Sequence, residues 1–447
     1  MKTNFITKLF TLLMVCLSIA TISNAQEAQA TPMDTLTSAV EKLQSDLTIW
    51  NRLKFSGFVQ AQWQKADTIG APSVAGGNFS GLNNRFQVRR ARFKSVYTGD
   101  NTQVVLQLDL KETGVFIKEA YGVYTEPLFN TFSLTAGFFN RPIGWEVEAS
   151  SAGLESPERS RVSQTLFPDE VDLGAKLTIQ APKTSSLNFI KLDLGLFDGN
   201  AINSETDKYK DFIGHLSLKK TLLNENLNVS GGVSYYKGGW ANGSANVYNI
   251  DATNKFVKDA FYTKGNIIKR EYFGIDAQAS LNSGLGITTI RGEYLWGQQP
   301  GTVKSSVSPK GAVTETKDII VADTAKKVYT VTSSAFPSDV YVRNFSGGYV
   351  YFVHRIMQTK HELVLKYDWY DPNTKINGTQ VTNVGDVKFT TIGLGWNYYA
   401  TPNVKFTAYY DMVSNENTSI KGKGTGVDNY TKDIKDNVLT LRVLYKF

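Results

Sequence analysis

The densest run of chemistry-bearing side chains is Arg85-Phe-Gln-Val-Arg89-Arg90-Ala-Arg92-Phe-Lys94. As a strand, it puts Arg90, Arg92 and Lys94 on one face, opposite Ala91 and Phe93. An Arg or Lys facing lipid at the bilayer midplane costs roughly 2–4 kcal/mol, so these three are expected to face a lumen. Arg89 is expected where the strand meets an interface. Guanidinium groups present forked donors that suit phosphate and carboxylate oxygens, and a row of them in a narrow pore passes anions in steps. The plainer alternative is that any water-filled barrel needs lumen charges, which pair with inward acids.

A second group lies in Gly137-Phe-Phe-Asn-Arg141-Pro-Ile-Gly-Trp-Glu146 and Glu155-Ser-Pro-Glu158-Arg159-Ser160-Arg161. A long loop that folds inward would carry Arg141, Arg159 and Arg161 to a constriction, paired with Glu146 or Glu158. A solvated surface loop with local ion pairs is the competing reading. Other chemistries find little footing. The three histidines are His215, His354 and His361. His215 stands two residues from Ser217, with no third orienting group in view, so no catalytic residue is assigned. No His/Asp cluster has metal-ligand spacing, and no metal or cofactor is expected. Gly231-Gly232 and Gly347-Gly348 sit within strand patterns rather than before helices, which excludes a nucleotide loop. No nucleic-acid partner is expected.

The elements that must position these groups repeat every two residues. Leu53, Phe55, Gly57, Val59, Ala61 and Trp63 alternate with Lys54, Ser56, Gln60, Gln62 and Gln64. Val104 to Lys111, Phe132 to Phe138, Ile190 to Leu196 and Val404 to Met412 alternate in the same way. The last strand puts Leu439, Leu441, Val443, Tyr445 and the terminal Phe447 on one face and Thr440, Arg442 and Lys446 on the other. Strands with one apolar and one polar face, ending on an aromatic residue, fit a barrel in lipid with a wet interior.

Turn signals supply the topology. Short connections fall near 98–101, 126–130, 181–187, 222–226, 282–285, 357–360 and 400–403. Long ones fall near 65–85, 140–170, 198–210, 238–268, 299–340, 371–388 and 414–435, with a short exception near 112–116. Short turns on one rim and long loops on the other predict an all-β, antiparallel transmembrane barrel of about 16 strands, with both ends on the short-turn, periplasmic side. A sandwich or propeller does not predict this alternation.

The first 25 residues read as a secretory signal: Lys2 and Lys8, an apolar stretch from Leu9 to Ala20, and Ser23-Asn24-Ala25 before Gln26. Cys16, the single cysteine, lies in that stretch behind Val15, which does not suit lipidation. Residues 26–50 place Leu36, Val40, Leu43, Leu47 and Trp50 at heptad spacing, giving a periplasmic linker or short coiled-coil helix. The barrel then occupies 51–447. With 41% hydrophobic and 12% aromatic residues, and no apolar run of spanning length past the signal, a helical membrane protein is excluded. Formal charge is +7, and removal of Lys2 and Lys8 lowers it by two to +5, a mild basic excess.

The Arg89-to-Phe93 strand, the Gly137-to-Glu146 turn and Glu158-Arg159-Ser160 occur in order with three later stretches: Lys210-Asp-Phe-Ile-Gly-His215, Gly292-Glu-Tyr-Leu-Trp-Gly297 and His361-to-Asn373. Together they resemble the phosphate-selective porin O and P family from about Arg52 to Phe447. The resemblance implies a 16-stranded barrel in the cell outer membrane, usually a homotrimer, with an anion-preferring pore rich in Arg and Lys. Two departures weaken a phosphate-specific claim: His215 stands where relatives are expected to carry Arg, and Asp169-Glu170-Val171-Asp172 is more acidic than the Arg-Asp pair expected there.

The strand register points Lys54, Arg90, Arg92, Lys94, Lys111, Lys176, Lys191, Lys219, Arg270, Arg291, Lys366, Lys405, Arg442 and Lys446 inward. Against them stand Asp109, Asp172, Asp193, Asp276, Glu293, Glu362, Asp368 and Asp411. The expectation is a porin for passive diffusion of small solutes with a modest anion preference. Its anion pathway is assigned to Arg90, Arg92, Lys94, Arg141, Arg159 and Arg161. The alternatives are a non-selective barrel, a barrel that docks a partner through its Lys-, Ser- and Thr-rich loops, and a rim-site hydrolase.

Overall fold

The computed structural model describes residues 40, 51–71, 79, 81–112, 114–203, 205–309, 338–422 and 427–447, and the backbone of 314–321 and 325–332. The expected signal peptide, and all of the 26–50 helix but residue 40, lie outside these. The chain divides into two units, Met1–Leu53 and Lys54–Phe447; the second is the barrel.

Alternating sequences of eight to seventeen residues form the wall. In order they are β1 (Leu53–Ala66), β2 (Asn84–Thr98), β3 (Thr102–Lys111), β4 (Gly114–Thr125), β5 (Phe132–Asn140), β6 (Val171–Gln180), β7 (Ile190–Phe197), β8 (Asp211–Leu222) and β9 (Leu227–Ala241). Two short strands, β10 (Val247–Ile250) and β11 (Phe256–Lys258), lie in a long loop before β12 (Ile267–Ser283) and β13 (Gly286–Gly301). A separate hairpin of β14 (Thr314–Val321) and β15 (Ala325–Thr332) precedes β16 (Val340–Ile356), β17 (His361–Asp371), β18 (Phe389–Thr401), β19 (Val404–Asn415) and β20 (Val438–Lys446). Setting aside β10 and β11, the eighteen-stranded sheet leaves sixteen wall strands, each antiparallel to its neighbours in the registers observed.

Closure is direct. β20 pairs with β1 from Phe58↔Lys446 to Ala66↔Val438, and Gly57 and Phe447 exchange backbone hydrogen bonds of 3.1 Å each way. A closed ladder satisfies the wall's backbone groups without water, which is what the hydrocarbon layer demands. The short connections and long loops fall where the turn signals place them, within a few residues, and the β3–β4 link is two residues long.

The outward faces carry Leu, Val and Ile between two aromatic bands. Nearer the long-loop rim, Phe212, Tyr235, Phe273, Trp296, Tyr294, Trp369 and Tyr367 contact one another in series. Trp369 of β17 reaches Tyr294 of β13 by lying over Gly348 of the intervening β16, where a Cβ would meet the indole. Nearer the short-turn rim, His361, Trp396, Tyr398 and Phe406 form the second band. Two aromatic girdles around an apolar belt are the signature of a barrel seated in a bilayer.

Inside, the expected register holds for the residues that become buried: Arg90, Arg92, Asp109, Asp172, Asp193, Arg270, Arg291, Glu293, Lys366, Asp368, Lys405, Asp411 and Arg442 are all less than a tenth exposed. The interior is not uniformly wet, which corrects the sequence reading. Tyr236, Tyr272, Leu295, Phe345 and Tyr370 pack with Ile143, Val147, Val162, Leu166 and Phe167 of the 141–170 loop into a dry cluster. The wall supplies apolar inward residues there because the loop needs something to bury against.

Candidate constriction site

The 141–170 connection is a flap whose ends are tied together. The Arg141 backbone N–H donates to the Glu170 carbonyl at 3.1 Å, beside the strands β5 and β6 that launch and receive it. Pro142 and Gly144 turn the chain inward. Gly144 has φ +58°, and a Cβ there would collide with the Glu293 carboxylate, so glycine answers both the backbone angle and the close approach. That carboxylate accepts the N–H groups of Trp145 and Glu146 at 3.2 and 3.3 Å. Farther along, Ser160 opens the short helix α1 (Arg161–Leu166), and the Glu146 carboxylate accepts the Ser160 N–H at 2.9 Å.

Loop backbone inside a barrel must find partners for its polar groups. The far wall provides them. Lys405 Nζ donates to the Leu154 carbonyl at 2.7 Å, Asn397 to the Glu155 carbonyl at 2.9 Å and Arg442 Nη1 to the Pro157 carbonyl at 2.5 Å. Gln60 reaches the Ser151 carbonyl at 3.0 Å, and Tyr351 hydrogen-bonds the Ser156 hydroxyl at 2.6 Å. The flap therefore crosses the bore from β5–β6 to β16, β18–β20 and β1, and narrows it.

Glu158 is the hub of its leading edge. Its carboxylate accepts from Arg89 Nε at 2.9 Å, Arg90 Nη2 at 2.7 Å and Arg442 Nη2 at 2.8 Å. Burial opposes ionisation of Glu158, but the three guanidinium groups outweigh it and hold the carboxyl well below the usual carboxylate range. Glu170 is held low in the same way: burial works against it, and Arg159 and Lys118 outweigh burial.

Beside this hub lies a cavity of about 410 Å³. Arg89, Arg90, Arg92, Lys111, Lys118 and Arg159 line it, with Asp109, Glu158, Asp169 and Glu170 as the acids and Phe116, Ile117 and Phe167 as apolar wall. A second cavity of about 520 Å³ lies along residues 144–153 of the flap, lined by Glu148, Lys191, His215 and Asp276 among others.

Each residue assigned to the anion pathway is buried or half-buried. Arg90 and Arg92 line the first cavity, while Lys94 lies beside them on Glu119 at 2.7 Å. Several expectations need correction. Arg89 does not lie at an interface. Arg85 and Gln87 bond the lumen residues Gln64 and Gln62, whereas Arg90 and Arg92 are the inward residues beyond. The alternation thus skips one step at Arg89–Arg90 and turns both toward Glu158, where each charge finds a partner instead of lipid. Arg141 pairs with Asp172 at 3.0 Å rather than with Glu146 or Glu158. Arg159 pairs with Glu170 at 2.6 Å and touches Glu146 only through its carbonyl, at 2.8 Å. Arg161 is stacked 4.0 Å over the Phe389 ring, its pKa lowered by burial, away from the cation-lined cavity.

Two findings bear on other chemistries. Glu148, Asp193 and His215 bring ligand atoms within 4.8 Å of one another, a grouping the linear spacing did not reveal. Asp193 already carries Lys191 at 2.9 Å and Lys176 at 3.3 Å, so ammonium groups stand where a metal would take its carboxylate. Among the described residues, no serine hydroxyl bonds a histidine. His354 meets Thr288 at 2.9 Å, and His361 lies in the outer aromatic band.

No protein-family model matches the chain, and no curated protein matches it by sequence. Solved structures do. Pseudomonas putida OprB aligns over 91% of this chain and 97% of its own, at 8% identity and a TM-score of 0.53. The outer membrane channel DcaP of Acinetobacter baumannii (12% identity, 88% and 97% coverage, TM-score 0.48) and Salmonella typhi OmpF in complex with daunomycin (10%, 88% and 97%, 0.47) align more loosely. The likeness is one of fold: the chain shares the closed antiparallel β-barrel architecture of the outer-membrane protein OprB.

Proposed function

We propose that this barrel is a porin, assembled as a homotrimer, that lets small solutes diffuse across the outer membrane with a modest preference for anions such as phosphate. The observation that carries the reading is the 410 Å³ cavity at the edge of the constriction, where six cationic side chains meet four acidic ones. Any solute passing the leading edge of the flap meets an excess of guanidinium and ammonium donors in a partly enclosed site.

The preference is modest because the cations are already engaged: Arg89 and Arg90 by Glu158, Lys118 and Arg159 by Glu170, Arg92 and Lys111 by Asp109 at 3.6 and 3.5 Å. An incoming anion competes with fixed carboxylates instead of meeting bare donors. The same pairing favours the second reading, a barrel without useful selectivity.

Reversal potential in a salt gradient separates the two. Replacing Arg90 and Arg92 by Ala is expected to lower the anion-to-cation permeability ratio roughly two-fold, since only part of the lumen's positive potential is removed. An unchanged ratio dismisses these arginines as selectivity elements. Competing phosphate in the same recordings tests whether that anion is held longer than chloride.

A further inference from the structure

His215 has a carboxylate at each ring nitrogen. Nδ1 lies 3.2 Å from Glu148 Oε1 of the flap, and Nε2 lies 3.5 Å from Asp276 Oδ2 of β12. A neutral imidazole has one N–H, so one of these contacts would set a lone pair against an anion. Only the imidazolium turns an N–H toward both carboxylates.

The surroundings ask for the same charge. Opposite His215 on β7 is Asp193, and Lys191 and Lys176 both contact it; Lys191 also lies 3.6 Å from Glu148. Three carboxylates thus face two ammonium groups, and the shortfall is one positive charge. On the remaining sides, Ser234 of β9 stands across from His215, and Glu293 of β13 stands across from Asp276. Gly232 makes the arrangement possible, since a Cβ there would strike both His215 Nε2 and Asp276 Oδ2. Those two atoms are buried and neither has a hydrogen-bond partner, so the 3.5 Å contact between them is an ion pair with nothing competing for it.

We propose that His215 is a positioning residue of the constriction: as an imidazolium it joins Glu148 of the flap to Asp276 of the wall, and loss of its proton frees that edge of the flap. The consequence for flow rests on the porin reading; the bridge itself does not.

The test uses ¹⁵N-labelled full barrel in lipid. Imidazole ¹⁵N shifts at about pH 7.5, one unit above the ordinary histidine value of about 6.5, are expected to show both nitrogens of His215 protonated. The resonance missing in His215→Gln gives the assignment. A bare nitrogen at that pH overturns the bridge. Asp276→Asn, which keeps the shape, is expected to lower the titration midpoint of His215 by about one pH unit; an unmoved midpoint overturns it equally. In planar bilayers, conductance of the unmodified protein is expected to rise as alkali removes the proton, and that step is expected to be absent in His215→Gln. A protonated His215 with a flat conductance profile overturns the positioning role. A protonated His215 in a barrel that does not conduct leaves the bridge standing and rejects the porin reading.

Discussion

The two flanks of the flap are held by opposite means. Residues 154–159 are strapped to β2, β19 and β20 by charge: Glu158 alone gathers three guanidinium groups, and Lys405 and Arg442 hold backbone carbonyls. Residues 143–147 and 162–167 are packed dry against Tyr236, Tyr272, Leu295 and Phe345. The packed flap side chains of the dry flank carry no ionisable group, whereas the strap depends on ionisation. The cation-lined cavity takes Glu158 and Arg159 from the strapped flank, so the charges that would sort solutes include the charges that fix the aperture.

Breaking the strap gives the largest effect. Glu158→Ala leaves two buried guanidinium groups, Arg90 and Arg442, and the half-buried Arg89 without their carboxylate, and removal of one partner from such a network costs about 3–5 kcal/mol. Thermal unfolding in detergent is expected to fall accordingly, and single-channel conductance is expected to rise as the edge lifts. On the dry flank, Leu166→Ala costs about 2–5 kcal/mol as a buried aliphatic side chain is lost, with the permeability ratio unchanged. If both variants changed selectivity alike, the division between flanks would be lost.

Acid gives a smaller effect that sharpens the contrast. The folded pKa of Glu158 lies below its unfolded value of about 4.3, so its contribution is whole above that value and disappears only as pH falls through the depressed one. Conductance set by the strap is expected to stay constant from about pH 7 to pH 5 and to change only in stronger acid. A transition near pH 5 would mean that the carboxylate is not held by its arginines.

The wall was legible because one physical rule governs every strand. Lipid outside enforces a period of two, and a slip of one residue would turn charge into hydrocarbon. The connections followed from Gly, Pro and Asn punctuation. The flap was legible only as a long, charged third loop. Its partners were hidden, since Arg442 lies 284 residues from Glu158 and meets it only after the barrel closes. Arg89 was misplaced because strict alternation allows no skipped step, although two adjacent arginines were themselves the signal. The dry cluster was missed because Tyr236, Tyr272 and Phe345 occupy the face expected to be polar. Paired aromatics such as Tyr235-Tyr236 and Tyr272-Phe273 offer both faces an apolar side chain, and they mark where a wet lumen was not to be assumed.

The most direct test is the current carried by the purified, refolded barrel in a planar bilayer under a potassium chloride gradient. The account predicts discrete ohmic channels whose reversal potential is displaced toward that of chloride. An insulating barrel, or a displacement toward potassium, would contradict it.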